Sequence, residues 1–209
     1  MWDIATGAAK APFTGHDGPV YSAAFSPTGP QVATGGYDRR ILIWNPGTLS
    51  EFNFDNLKSP NGKVVPDQDS KALDGHTAPV RDVLFSRDGN QIVSGSDDNT
   101  VRLWSLETLK DEKTFRGHNG SVRSLVLADD DSVILTASKD NRIRQWSIDQ
   151  YAEVRVLHSH VLDEHRAEVL SARFSKDGSK IVTASKDRSA LTWDCLLYTS
   201  PSPRDSLAS

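Results

Sequence analysis

Short apolar runs rich in β-branched residues alternate with polar turns along the chain, and the alternation returns several times in nearly the same register. In its first passage VYSAAFS, QVATGG and ILIW are separated by SPTG and by YDRR, which predicts three short strands joined by tight turns. Apolar residues recur at fixed distances from a histidine. Four positions after His16, His76, His118 and His165 stand Val20, Val80, Val122 and Val169, and nine after stand Phe25, Phe85, Leu127 and Phe174. Sixteen after come Val32, Ile92, Ile134 and Ile181, and twenty-five after come Ile41, Val101, Ile143 and Ala190. All of these are expected core positions. The runs do not alternate cleanly between apolar and polar, the pattern of sheets covered on both faces. The turn between the first two strands carries Gly29, Gly89 and Gly178, a residue at ease with positive φ, while Asp131 fills the place in the third copy and tolerates that conformation less well.

Polar residues keep the same ruler. Trp44, Trp104, Trp146 and Trp193 each follow their histidine by 28 positions, and Asp38, Asp98, Asp140 and Asp187 follow it by 22. Four residues before each aspartate is a hydroxyl: Thr34, Ser94, Thr136 or Thr183. Full copies cover 15–45, 75–105, 117–147 and 164–194. A partial copy occupies 1–14, because Trp2 precedes Trp44 by 42 residues; Met1 then reads as an internal position rather than a start. Between copies the connection from tryptophan to histidine is expanded twice. The larger expansion, a long loop over 46–68 punctuated by Pro60, Asn61-Gly62 and Pro66, reads as surface.

From Trp2 to Asp194 the chain resembles the WD-repeat (WD40) β-propellers, in which a period near 42 runs from Gly-His to Trp-Asp. The resemblance implies an all-β fold, a partial (open) WD-repeat β-propeller of about four blades of four-stranded antiparallel sheet. It also implies a hydrogen-bond relay in each blade, from aspartate to histidine to hydroxyl to indole. The sets are His16, Thr34, Asp38 and Trp44; His76, Ser94, Asp98 and Trp104; His118, Thr136, Asp140 and Trp146; and His165, Thr183, Asp187 and Trp193. Glu164 replaces the glycine before His165, and Asn45, Ser105 and Ser147 replace the aspartate after tryptophan, but no relay member is lost. By the same resemblance, partner contacts fall at the start of the innermost strand, on Tyr21, Arg81, Arg123 and Leu170, and just before the turn aspartate, on Tyr37, Asp97, Lys139 and Lys186. The basic members suit an acidic or phosphorylated segment. Residues 195–209 stand apart: CLLYTSPSPRD is similar to a translated sequencing-library adapter, so a non-native or disordered tail is expected there.

Composition narrows the function. Lys and Arg total 24 against 28 Asp and Glu, a net charge of -4, which disfavours a broad nucleic-acid surface. No run of 18 apolar residues exists and MWDIATG is not a signal peptide, so a cytoplasmic protein without membrane contact is expected. The one cysteine, Cys195, allows no internal disulfide. Histidine, aspartate and hydroxyl repeated four times at one spacing argue for structure, since a catalytic triad occurs once. His158 and His160, with Asp163, Glu164 and His165 behind them, are the one cluster with a metal-ligand look; decoration of an outer strand is the preferred reading, and no metal or cofactor is expected. The expected function is a protein–protein interaction scaffold with no catalysis of its own, binding protein or peptide partners, its ring completed by further sequence of the same chain. The alternative is the sensory or docking portion of a larger signalling enzyme such as a Ser/Thr kinase, since variants of SKDGSKIVTASKD are similar to repeats in bacterial proteins, some of which carry such kinases. Metal-linked activity at His158 and His160 ranks below both.

Overall fold

A computed structural model describes residues 15–45, 71–148, 152–157 and 165–194. Among them every regular element is a strand. Blade 1 contains β1 (Val20–Phe25), β2 (Val32–Gly36), β3 (Ile41–Trp44) and β4 (Lys71–Leu73). Blade 2 contains β5 (Val80–Phe85), β6 (Gln91–Ser96), β7 (Thr100–Ser105) and β8 (Lys110–Arg116). Blade 3 contains β9 (Val122–Leu127), β10 (Val133–Ser138), β11 (Ile143–Ser147) and β12 (Ala152–Leu157). Blade 4 contains β13 (Val169–Phe174), β14 (Lys180–Ser185) and β15 (Ala190–Asp194). Each blade is an antiparallel meander whose strands pair in chain order. The sheets form a partial, open propeller.

The core lies between blades rather than within them. Ala33, Ile41, Ile43 and Leu73 of blade 1 pack on Val80, Val83, Phe85, Ile92 and Trp104 of blade 2. Val93, Val101, Leu103 and Phe115 meet Val122, Leu125, Ile134 and Trp146 in the next interface, and Leu135, Ala137 and Ile143 meet Val169, Ala172 and Ile181 in the third. This explains the unbroken apolar runs, since an inner blade has a neighbour on both faces. Fully burying one such valine or isoleucine contributes roughly 1.5–3 kcal/mol. Close approach is set by a small residue at one position: a Cβ on Gly35 would stand 2.7 Å from Val80 Cγ1, and one on Gly95 would stand 2.7 Å from Val122 Cγ1. Blade 3 has Ala137 there, against Val169 and Ala172.

Four expectations need correction. Val20 is 50% and Phe25 70% exposed, and Ala190 is exposed, although their counterparts Val80, Phe85 and Val101 are buried. No described blade lies against the face of β1 or of β15 that carries them, so identical sequence positions have different surroundings. Gly89 and Gly178 take positive φ (72° and 69°), as does Asp131 (57°), but Gly29 does not. Pro30 follows Gly29, and a residue before proline is pushed to extended conformations. In the three left-handed turns the amide of Gly89, Asp131 or Gly178 bonds the carbonyl of Ser86, Ala128 or Ser175. The partial repeat over 1–14, the loop over 46–68, His158, His160, Asp163, Glu164 and the tail over 195–209 lie outside the described residues.

Candidate functional site

Each blade carries the same buried chain of polar contacts. In blade 2, Trp104 Nε1–H donates to Ser94 Oγ at 2.7 Å, Ser94 Oγ lies 2.7 Å from His76 Nε2, and His76 Nδ1 lies 2.7 Å from Asp98 Oδ2. A carboxylate only accepts, so Nδ1–H donates to Asp98, and Nε2 of the neutral imidazole accepts from the Ser94 hydroxyl. The corresponding distances are 2.8, 2.8 and 2.9 Å through Trp44, Thr34, His16 and Asp38. They are 3.0, 2.7 and 2.8 Å through Trp146, Thr136, His118 and Asp140, and 3.0, 2.8 and 2.8 Å through Trp193, Thr183, His165 and Asp187. The backbone amide after each histidine, of Asp17, Thr77, Asn119 or Arg166, donates to the same carboxylate at 3.0 Å. The other carboxylate oxygen accepts from the amide two residues on and so closes the turn, as Asp98 Oδ1 does from Thr100 at 2.9 Å.

Burial opposes ionisation of these aspartates, yet the histidine contact and the backbone donors outweigh it. Asp140 is held down at about 2, and Asp98 lies lower still with the Thr100 hydroxyl added. Asp187 is also held well below the usual carboxylate range, chiefly by the Ser189 hydroxyl. Ser94 and Thr136 are entirely buried. A hydroxyl with no exposed surface meets no substrate, so the arrangement locks indole, hydroxyl and imidazole in place rather than activating a nucleophile.

Above the relay runs a rim where the partner-contact candidates lie. The amides of Tyr37, Asp97, Lys139 and Lys186 donate to the carbonyls of Pro19, Pro79, Ser121 and Glu168, which brings the end of each second strand beside the start of its innermost strand. Tyr37 is 56%, Tyr21 40% and Leu170 43% exposed, and Lys139 is exposed. Arg81 stacks 4.1 Å over the Tyr21 ring and donates through Nε to Asp97 Oδ2 at 2.9 Å. Asp97 Oδ1 lies 3.3 Å from Arg123 Nη1, Arg123 Nε 2.5 Å from Glu168 Oε1, and Lys186 Nζ 2.6 Å from Glu168 Oε2. A ladder of alternating charge therefore crosses two blade interfaces, and the stack of Arg81 on Tyr21 crosses the third. Partial burial opposes ionisation of Asp97 and Glu168, but the bonds from Arg81 and from Lys186 and Arg123 hold both carboxyls low. Three of the cations singled out from the sequence are thus already paired within the chain. Glu168 escaped the sequence reading, although it stands where the other copies have Pro19, Pro79 and Ser121, and that departure was its signal.

The sequence profile described as WD domain, G-beta repeat matches four times, over residues 7–45, 68–105, 109–147 and 156–194. The chain belongs to the WD-repeat family. Among relatives of this WD-repeat chain, the small ribosomal subunit protein RACK1 of Dictyostelium discoideum is 33% identical over 93 residues, 44% of this chain and 25% of the relative. Striatin-3 of Homo sapiens is 38% identical over 93 residues, 44% of this chain and 11% of the relative. The U5 small nuclear ribonucleoprotein 40 kDa protein of Homo sapiens is 32% identical over 125 residues, 44% of this chain and 33% of the relative. The WD-repeat chain thus spans a third or less of the length of these curated relatives. Among its described residues no group of three or more His, Cys, Asp or Glu side chains is placed to hold a metal ion, and no helix is long and apolar enough to cross a membrane.

Proposed function

We propose that residues 1–194 are a propeller segment that holds protein or peptide partners on the rim carrying Tyr21, Tyr37, Arg81, Asp97, Arg123, Lys139, Leu170 and Lys186, with no chemistry of its own. The observation that carries this reading is the rim itself: the candidate anchors of four blades are brought to one edge of a rigid stack and laced together from Tyr21 to Lys186. A docking surface needs such preorganisation, because side chains already fixed lose little entropy on binding. The paired state of Arg81, Arg123 and Lys186 leaves Tyr37, Lys139 and Leu170 as first points of contact. An acidic or phosphorylated partner would engage Lys139 and compete with Asp97 and Glu168 for the arginines. The exposed Val20, Phe25 and Val182 support completion of the ring by further blades of the same polypeptide. A reducing, cytoplasmic setting belongs to this reading, since positions 1–194 contain no cysteine.

Affinity capture with the full chain, followed by mass spectrometry, tests the rim. A Tyr37→Ala/Lys139→Glu variant is expected to lose partners that Lys176→Glu, in a turn at the opposite ends of the strands, retains. Loss in Lys176→Glu alone would move the site to those turns, and equal retention by both variants would remove the rim from the account.

A further inference from the structure

At the first two blade interfaces a side chain of one innermost strand caps a backbone amide of the next. Ser22 Oγ accepts from Val83 N at 3.3 Å, and Asp82 Oδ2 accepts from Leu125 N at 2.8 Å. Asp82 is the exception among these strands, since the same position in the other blades is Ser22, Ser124 or Ser171. Its Oδ1 also accepts from Ser22 Oγ at 2.9 Å and from Val83 N at 3.0 Å. A carboxylate has about four acceptor positions, so one direction on Oδ2 stays open. It borders an open cavity of about 500 Å³ lined also by Ser22, Leu84, Val126, Leu127 and Arg173, polar and apolar in nearly equal measure. Arg173 Nη1 is turned to Ser124 Oγ at 3.3 Å and to the Ala172 carbonyl at 2.7 Å. Burial raises the Asp82 carboxyl above its ordinary range despite its donors and the Arg173 charge.

A carboxylate that its surroundings under-compensate, open to a cavity of ligand size that offers both polar and apolar surface, is a seat for positive charge on a slender carbon chain. We propose that this cavity takes an organic cation, an alkyl-guanidinium or alkylammonium head such as a basic side chain carries, with the head on Asp82 Oδ2 and the carbon stem along Leu84 and Leu127. Arg173 opposes the guest by charge repulsion. Arg81, next to Asp82 on β5, and Arg123, on β9 of the next blade, are drawn to the rim by Asp97 and Glu168, and Tyr21 on β1 lies under Arg81. The guest needs Asp82 ionised, and because burial has raised that carboxyl, binding strengthens as pH rises through its titration and fades below it. This site does not depend on the rim.

The test titrates the full chain with n-butylguanidinium, following backbone amides by nuclear magnetic resonance. The expected result is saturable shifts centred on Val83 and Leu125, no such shifts with the neutral isostere n-butylurea, and at least about tenfold weaker binding in Asp82→Ser, the residue the neighbouring blades carry. Arg173→Gln, at an exposed position, is expected to tighten binding, an effect no purely structural role for Asp82 produces. Unmoved Val83 and Leu125 amides, equal binding of n-butylurea, unchanged affinity in Asp82→Ser, or weaker binding in Arg173→Gln would each overturn the proposal.

Discussion

Blades 1 and 2 have nearly the same pattern and different fates. Phe85 is 8% exposed and Val80 fully buried, whereas Phe25 is 70% and Val20 50% exposed at the same positions. Blade 2 also fastens its rim turn with a hydroxyl: Ser96 Oγ donates to the Ala78 carbonyl at 2.9 Å and accepts from Asp98 N at 3.1 Å. Ser138 and Ser185 repeat that clamp, but Gly36 stands in its place in blade 1. Sheets in this architecture take their stability from their neighbours, so a residue's contribution depends on which interface it faces, not on its place in the repeat.

The sharpest way to break the comparison is to truncate both phenylalanines. Phe85→Ala is expected to cost about 3–5 kcal/mol through the cavity it leaves, and Phe25→Ala about 0.5 kcal/mol or less, read from urea unfolding. Equal costs would mean that the β1 face is covered in solution. Next in size is the relay. Ser94→Ala orphans Trp104 Nε1 and His76 Nε2 in a dry site and should cost about 1–3 kcal/mol, with Trp104 fluorescence reporting the loosened indole. A third substitution sets consensus against geometry, because Gly36→Ser restores the clamp residue of the other blades. A Cβ there would stand 2.6 Å from His16 Nδ1, so the change is expected to destabilise by about 1–3 kcal/mol, and a rise in the thermal midpoint would show that blade 1 can relax.

Acid sharpens the contrast without mutation. Asp98 and Asp140 are held below the ordinary carboxylate value of 3.8, so their contribution is complete above that pH and drains away as pH falls through 4 toward 2. Hydrogen exchange across that window should show blades 2 and 3 losing protection as it is crossed; constant protection would count against the carboxylates. The smallest effect concerns the residue after each turn aspartate, which sits at positive φ: Arg39 (71°), Asn99 (67°), Asn141 (68°) and Arg188 (72°). Arg39→Asn, which copies blades 2 and 3, should gain up to about 1 kcal/mol by relieving a left-handed arginine, measured as a shift in the urea midpoint.

The repeat was legible because each blade solves the same packing problem locally. His76, Ser94, Asp98 and Trp104 belong to one blade, and their spacing is the spacing of its strands and turns. The same is true of the strands themselves. Contacts between blades were not legible in that way. Arg123 meets Glu168 across 45 residues and Asp82 meets Leu125 across 43, separations fixed by how sheets stack, and no local pattern announces them. Two single-residue departures did carry the information, glutamate where the other copies have proline or serine and aspartate where they have serine. The exposure of Val20 and Phe25 lay beyond reach for a different reason, since periodicity says which face is apolar but not whether anything lies against it. Gly29 was misjudged because Pro30 constrains it more strongly than its place in the repeat.

The indole bond has a spectroscopic consequence. Trp44, Trp104, Trp146 and Trp193 each lend one proton to a hydroxyl within their own sheet. Such a proton trades with deuterium only when that sheet opens, so the four indole signals form a set of natural clocks, one per blade. Trp104 is fully enclosed while Trp193 is partly open, and the second clock should therefore run slowest and the fourth fastest.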